Sequence, residues 1–193
     1  MAQKKTRRVI RVLTEGEITE PQYLTAWARR NRSHVRLEIS DRGVTPKTLV
    51  DRARGHVRRN RPTKRRTPDY DEIWCVFDTD EHPNLPQAVE EARQGGIEVA
   101  VSNPCFELWL VLHAHAQTAH IDRHRAQQRS AELGLSHDKA IPQDAQNTLI
   151  DTFETAKQRA IDLSERHAGN GSPPRTNPST DVWRLVDRLR NTK

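Results

Sequence analysis

Four short apolar runs, each followed by a segment with a helical pattern, dominate residues 9–113 and restrict the folds open to this chain. The runs cover residues 9–13, 35–39, 73–77 and 97–101. The segments between them carry apolar side chains at helical spacing, and we expect Thr19 and Thr45 to cap the first two helices. Because parallel strands need a long crossover, usually a helix, this alternation predicts an α/β fold with a mostly parallel four-stranded sheet flanked by helices.

The strand pattern stops after residue 116. Residues 121–133 and 143–167 have helical spacing, and the glycine- and proline-rich residues 169–176 predict a flexible break. A last helix is predicted from about residue 178, with an apolar stripe that should dock on the rest of the protein. We therefore expect an α/β core at 1–116 and a C-terminal helical extension at 117–193.

The net charge of +6 is unevenly distributed along the chain. Residues 1–70 hold 19 Lys and Arg against 7 Asp and Glu, a balance of +12, whereas residues 71–193 hold 13 against 19, a balance of −6. Eight cations and no acid lie in residues 52–66, here named the basic arm: Arg52, Arg54, Arg58, Arg59, Arg61, Lys64, Arg65 and Arg66. Phosphates would complement such a segment, and a solvated charged loop is the alternative.

Hydropathy and the positions of the cysteines indicate the compartment in which we expect the protein. No apolar stretch approaches the ~20 residues that cross a bilayer, and the first residues lack the apolar core of a signal peptide. Cys75 and Cys105 both lie in apolar runs, which is typical of buried free thiols. We therefore expect a cytoplasmic protein without membrane contact.

Acidic residues follow two of the predicted strands. Glu15 and Glu17 follow the first strand, and Asp78 and Asp80 follow the third. Asp78 and Asp80 are two apart, so in an extended chain they point to the same side and repel each other. Carboxylate oxygens are the ligands that Mg²⁺ prefers, and ligands of α/β sheets collect at the carboxyl ends of strands. If the first and third strands are neighbours, these acids converge on a metal site.

Several blocks of the sequence resemble known families. Thr14-Glu15-Gly16-Glu17 with Phe77-Asp78-Thr79-Asp80 looks like the Toprim domain of topoisomerases, primases and OLD-family nucleases. More closely, the chain resembles the RloB family, also called RloB-like or AbiLii-like proteins. The matching blocks are EGEITEPQY at 15–23, VFDTDEHPN at 76–84, SNPCFELWL at 102–110 and NPST at 177–180.

The resemblance implies a function and a set of site residues. Glu15, Asp78 and Asp80 would take the places of the Toprim glutamate and metal-binding aspartates and hold Mg²⁺ or Mn²⁺. The RloB family is associated with prokaryotic restriction and abortive-infection loci, sometimes beside an ABC-type ATPase. This chain departs from the Toprim pattern because Glu81 and His82 follow directly; they are either further ligands or turn residues.

Further candidates lie near the same sheet edge. Glu107 belongs to a helix that is apolar nearly all round, so its carboxylate should be buried with a partner. That partner is either the helix's own N–H groups, or a metal or a catalytic cation. Asn103 is expected to cap this helix first and to serve the site second, while Glu17 and Glu20 are secondary candidates. Histidines 113, 115, 120 and 124 cluster, with the last pair at i, i+4 spacing, but the absence of a Cys pair and of a His-Glu-x-x-His motif argues against zinc.

These features favour a metal-dependent phosphodiesterase acting on nucleic acid, RNA such as tRNA or else DNA. Glu107 or Glu17 would orient water or bind a second ion, and the basic arm would hold the backbone without reading sequence. The alternative is a non-catalytic nucleic-acid or nucleotide sensor that works with a partner ATPase. A third hypothesis is an assembly subunit whose acids stabilise turns. A homo-oligomer is compatible with all three.

Overall fold

A central sheet with helices on both faces forms the protein, in a computed structural model that describes residues 7–64, 67–79 and 84–190. The elements of the first part are, in order, β1 (Arg8–Thr14), α1 (Thr19–Arg30), β2 (Val35–Arg42), α2 (Pro46–Arg59), β3 (Glu72–Asp78), α3 (Leu85–Gln94), β4 (Glu98–Asn103) and α4 (Phe106–Ala114). The second part adds α5 (Arg123–Glu132), α6 (Gln143–Asp151), α7 (Phe153–Gly169), β5 (Ser179–Thr180) and α8 (Val182–Arg190).

The sheet has the order β2-β1-β3-β4-β5. The first four strands are parallel, as the alternation predicts. The prediction of four strands was wrong by one, because β5 pairs antiparallel with β4 through Thr180 and Ser179. Two residues are too few to show a period of two, so this edge strand leaves no signal in the sequence.

Both faces of the sheet are buried, which explains why the strands read as nearly continuous apolar runs. Alternate strand residues such as Val12, Trp74 and Val76 belong to the cluster that packs under α1 and α4–α8. Leu13, Cys75 and their neighbours face α2 and α3 instead. The stripe of α8 lies in the same cluster as α1 and α4, so the C-terminal helices dock as expected. Both cysteines are buried free thiols.

Two local expectations were wrong. The segment predicted as one helix over 143–167 is broken at Thr152, whose hydroxyl donates to the Thr148 carbonyl and also bonds His113 Nδ1 at 3.0 Å. Thr19 does not cap α1; its hydroxyl donates to the carbonyl of Lys139 at 2.7 Å. Thr45 does cap α2 and accepts from the Thr48 amide. Within the described ranges, no helix is long and apolar enough to cross a membrane.

Candidate functional site

Glu15 and Asp78 meet because β1 and β3 are neighbours in the sheet. The pairing of Thr14 with Val76 brings the two strand ends level. The Asp78 amide then donates to Glu15 Oε2 at 3.1 Å, so one carboxylate lies across both strand ends. Asp78 itself is buried, with 6% of its surface exposed. The convergence that the sequence made conditional on strand order is present for Glu15 and Asp78.

A third carboxylate, that of Glu20, reaches this edge from the first turn of α1. Its Oε1 accepts from the Gly16 amide at 3.0 Å, and only 4% of the residue is exposed. A Cβ at position 16 would overlap this carboxylate. A Cβ at Gly43, where φ is +69°, would likewise overlap the carboxylate of Glu17, although Glu17 is exposed. Glycine at 16 therefore lets the loop after β1 close over a buried acid.

Glu107 supplies a fourth carboxylate from the first turn of α4, where it is 6% exposed. The helix dipole favours a negative charge at this position. Burial, followed by the charge of Glu107, raises the pKa of the neighbouring Cys105 thiol well above its ordinary range. Asn103 does not cap α4, because Cys105 is the N-cap residue. The Asn103 amide donates to the Arg175 carbonyl, and its carbonyl oxygen accepts from Asn177.

These four acids share one cavity of about 390 Å³ with two cations. The polar part of the lining includes Glu15, Glu17, Glu20, Asp78, Glu107, Arg123, Gln127 and Lys139. Arg123 Nη2 lies 4.0 Å from Asp78 Oδ2. Both cations come from the part of the chain after residue 116, so α5 and the turn before α6 complete a site that begins at the strand ends.

Burial and crowding make ionisation of the acids costly. Desolvation, followed by the charges of Glu20, Glu15 and Glu107, raises the pKa of Asp78 well above its ordinary value, and Arg123 opposes this. Desolvation likewise raises the pKa of Glu20 from 4.5 to about 7, with a further rise from Glu107. A shifted carboxyl pair in a cleft is typical of a functional site.

A comparison with models of protein families identifies the family of this chain. A family model described as RloB-like protein matches residues 10–189. The chain belongs to the RloB-like family. The match spans all four blocks that carry the resemblance, and membership suggests a defence-associated protein. No curated protein and no solved structure matches the chain.

The basic arm of this RloB-like chain lies away from the acids. The residue before α2, Thr45, lines the acid cavity, and α2 then runs about 20 Å toward the opposite sheet edge. There Arg61 lines a different cavity, together with the starts of β3 and β4. Arg65 and Arg66 lie outside the described residues. The six described members are all exposed: Arg52, Arg54, Arg58, Arg59, Arg61 and Lys64.

Two members of the arm already have acidic partners. Arg52 pairs with Asp41 at 3.0 Å, and Arg54 pairs with Glu91 at 3.3 Å. The cations that do reach the acids, Arg123 and Lys139, were missed by sequence reasoning. Both lie in polar segments with no motif around them, so only the packing of α5 and its neighbours reveals them.

The donor set suits a hard divalent cation, because carboxylate oxygens are the ligands of Mg²⁺ and Mn²⁺. Among residues 7–64, 67–79 and 84–190, no three acidic, histidine or cysteine side chains are already arranged to hold an ion. Asp80 and His82 lie outside the described residues. Glu15 and Asp78 are thus the described candidates, with Glu20 and Glu107 at the same cavity.

The histidines do not form a second metal group. His113 is buried between Tyr23 and Thr152, which it contacts through Nε2 and Nδ1. Burial lowers the pKa of His113 to about 3, so this side chain is neutral at physiological pH. His120 and His124 are exposed and line a cavity beside the acids.

Proposed function

We propose that this RloB-like protein is a metal-dependent phosphodiesterase that acts on nucleic acid, RNA such as tRNA or else DNA, in prokaryotic anti-phage defence. One observation carries the proposal: four carboxylates from β1, β3, α1 and α4 converge on one cavity at the carboxyl ends of parallel strands. The raised pKa of Asp78 supports this, because buried carboxylates that crowd together favour the protonated form until a cation neutralises them. The resemblance of the motifs that contain Glu15 and Asp78 to those of Toprim domains agrees with this chemistry.

In this proposal, Glu15 and Asp78, with Asp80, hold Mg²⁺ or Mn²⁺. The bound ion supplies charge neutralisation at the phosphate and a more acidic water. Arg123, beside Asp78, lies where it can neutralise charge that develops on the phosphate oxygens. Glu107 orients the attacking water or assists a second ion, since it lines the same cavity. Glu20 holds the loop at Gly16 in place, because its carboxylate accepts a hydrogen bond from the Gly16 amide.

The test is a nuclease assay with purified protein, Mg²⁺ or Mn²⁺, and tRNA, single-stranded and duplex substrates. We expect cleavage that EDTA abolishes and that Asp78→Asn lowers by at least about a hundredfold. Asp144→Asn is the matched control, because Asp144 is exposed on α6 away from the cavity. Uncut substrates with both metals, or full activity of Asp78→Asn, would refute the proposal.

A second candidate function has one observation in its favour. The Glu15 and Glu20 carboxylates each accept a backbone amide, so both acids also fasten the strand-end loops. A sensor that only binds nucleic acid or nucleotide, beside an ABC-type ATPase, could keep them for that reason. It predicts metal-independent binding that survives Glu15→Gln and is lost when Arg58, Arg59, Arg65 and Arg66 become alanine. A melting temperature that does not respond to Mg²⁺ or Mn²⁺ would favour this candidate or a purely structural role.

A further inference from the structure

The acid cavity is the middle of a longer groove along the strand-end edge. On the α1 side it shares Glu17 and Ile18 with a cavity of about 460 Å³. On the α5 side it shares Arg123, Gln127 and Lys139 with a cavity of about 710 Å³. The three cavities are therefore adjacent: one flanking cavity follows α1 from Ile18 to Arg29, and the other extends from the acids to α5.

The two ends of this groove carry cations while its centre carries acids. Arg29 and Arg42 line the α1 end, together with Glu17 where it adjoins the centre, and all three residues are exposed. At the α5 end, Arg123 and Lys139 are the cations, His120 and His124 are further possible phosphate partners, and Asp122 is the one acid among the described residues of the lining. A phosphate chain is the ligand that matches this order, because its flanks meet cations and its central phosphate meets the acids and their ion.

We propose that a single strand of nucleic acid lies along this groove, with its flanking phosphates held by Arg29 and Arg42 at one end and by Lys139 and His124 at the other. This inference rests on the proposed function and assigns the substrate path to the groove, not to the basic arm. Asp78 and Glu107 are each only 6% exposed, so the central phosphodiester must enter the cavity to reach them. A flexible single strand can do so, whereas a stiff duplex cannot.

The position of the basic arm supports this path. Arg58 and Arg59 end α2 about 20 Å from the cavity that Thr45 lines. A strand held by those two residues would have to turn around the sheet to reach Asp78. The arm therefore lies outside the proposed path.

The experiment measures binding in millimolar Ca²⁺, a cation that takes oxygen ligands and replaces the Mg²⁺ or Mn²⁺ of the proposed chemistry, so that the acids at the centre of the groove keep a counter-cation. The probes are labelled oligo-uridine and oligo-thymidine of about 12 nucleotides and a duplex of the same length, followed by fluorescence anisotropy. We expect Arg29→Ala/Arg42→Ala and His124→Gln/Lys139→Gln each to raise Kd at least about tenfold, and Arg58→Ala/Arg59→Ala less than about twofold. Each lost phosphate contact should also reduce the salt dependence by about 0.7 in log–log slope. Melting curves check that all variants fold.

The outcomes separate the groove from the proposed function. Weaker binding by both groove variants, with the arm variant unchanged, supports the groove, and a preference for oligo-uridine or oligo-thymidine then identifies the substrate class. Loss of binding in the arm variant alone, tighter binding of the duplex, or no binding of any probe would overturn it. If the groove variants bind weakly but the parent protein cleaves nothing with Mg²⁺ or Mn²⁺, the groove stands and the phosphodiesterase proposal fails. If cleavage is intact while the groove variants bind like the parent, only the groove fails.

Discussion

The substitution Glu20→Gln should make the metal-free protein more stable at neutral and alkaline pH. Glu20 is 4% exposed, and its pKa rises from 4.5 to about 7 through burial and the nearby charges of Glu107 and Glu15. In the unfolded chain, the same carboxyl would titrate near its ordinary value of 4.5. The folded state therefore binds this proton more tightly than the unfolded state does.

The sign and size of the effect follow from that difference. Below pH 4.5, Glu20 is protonated in both the folded and the unfolded state, so it does not lower the free energy of unfolding. The free energy of unfolding falls as pH rises from 4.5 through about 7, because the unfolded chain releases the proton first. Above about pH 7 the loss is complete and constant. A pKa difference of about 2.5 corresponds to about 3 kcal/mol of free energy of unfolding. Glutamine carries no charge and keeps an oxygen that can accept from the Gly16 amide. Glu20→Gln should thus add up to about 3 kcal/mol near pH 8 and almost nothing at pH 4.5.

Urea unfolding in EDTA at both pH values measures this gain. Glu165→Gln is the matched control, because Glu165 is exposed on α7 and should change stability little at either pH. Millimolar Mg²⁺ should shrink the advantage of Glu20→Gln, since an ion would then balance the charge in the parent protein. A variant that is no more stable than the parent near pH 8, or one that gains equally at pH 4.5, would refute the reasoning.

Three further substitutions test the site and its support. In calorimetry, Mg²⁺ or Mn²⁺ should raise the melting temperature of the parent but not that of Asp78→Asn, because the variant loses a central ligand. An equal rise in both proteins would exclude Asp78 as a ligand. Gly16→Ala should cost about 1–3 kcal/mol in urea unfolding, because its Cβ overlaps the Glu20 carboxylate, whereas Gly169→Ala has open space and should not. Leu185→Ala, on α8, should cost about 2–5 kcal/mol if the C-terminal helix shares the core; a loss below about 1 kcal/mol would contradict this packing.

The strands were predictable because they are covered on both faces. Cys75 faces one helical layer and Trp74 and Val76 face the other, so β3 reads as an unbroken apolar run. The meeting of Glu15 and Asp78 could be predicted only conditionally, since the sequence does not reveal that β1 and β3 are neighbours. That order depends on how the crossovers pack, and no local pattern records it.

The cations of the site could not be predicted for a related reason. Arg123 and Lys139 lie more than forty residues beyond Asp78, in polar segments that fold back onto the strand ends. The position of the basic arm, in contrast, follows from topology. A helix between two parallel strands runs antiparallel to them, so α2 must carry Arg58 and Arg59 away from the edge where Glu15 and Asp78 lie.

Helix dipoles offset only part of the charge at the strand-end edge. The starts of α1, α2 and α4 all border the acid cavity, through Thr19, Thr45 and Phe106. A helix N-terminus stabilises a nearby anion by about 0.3–1 kcal/mol, or about 2 kcal/mol in partly buried sites. Glu20 alone costs about 3 kcal/mol when ionised, and Asp78 adds to that cost. Three dipoles and Arg123 therefore offset only part of this cost, and a divalent cation is the ligand that would allow both acids to ionise together.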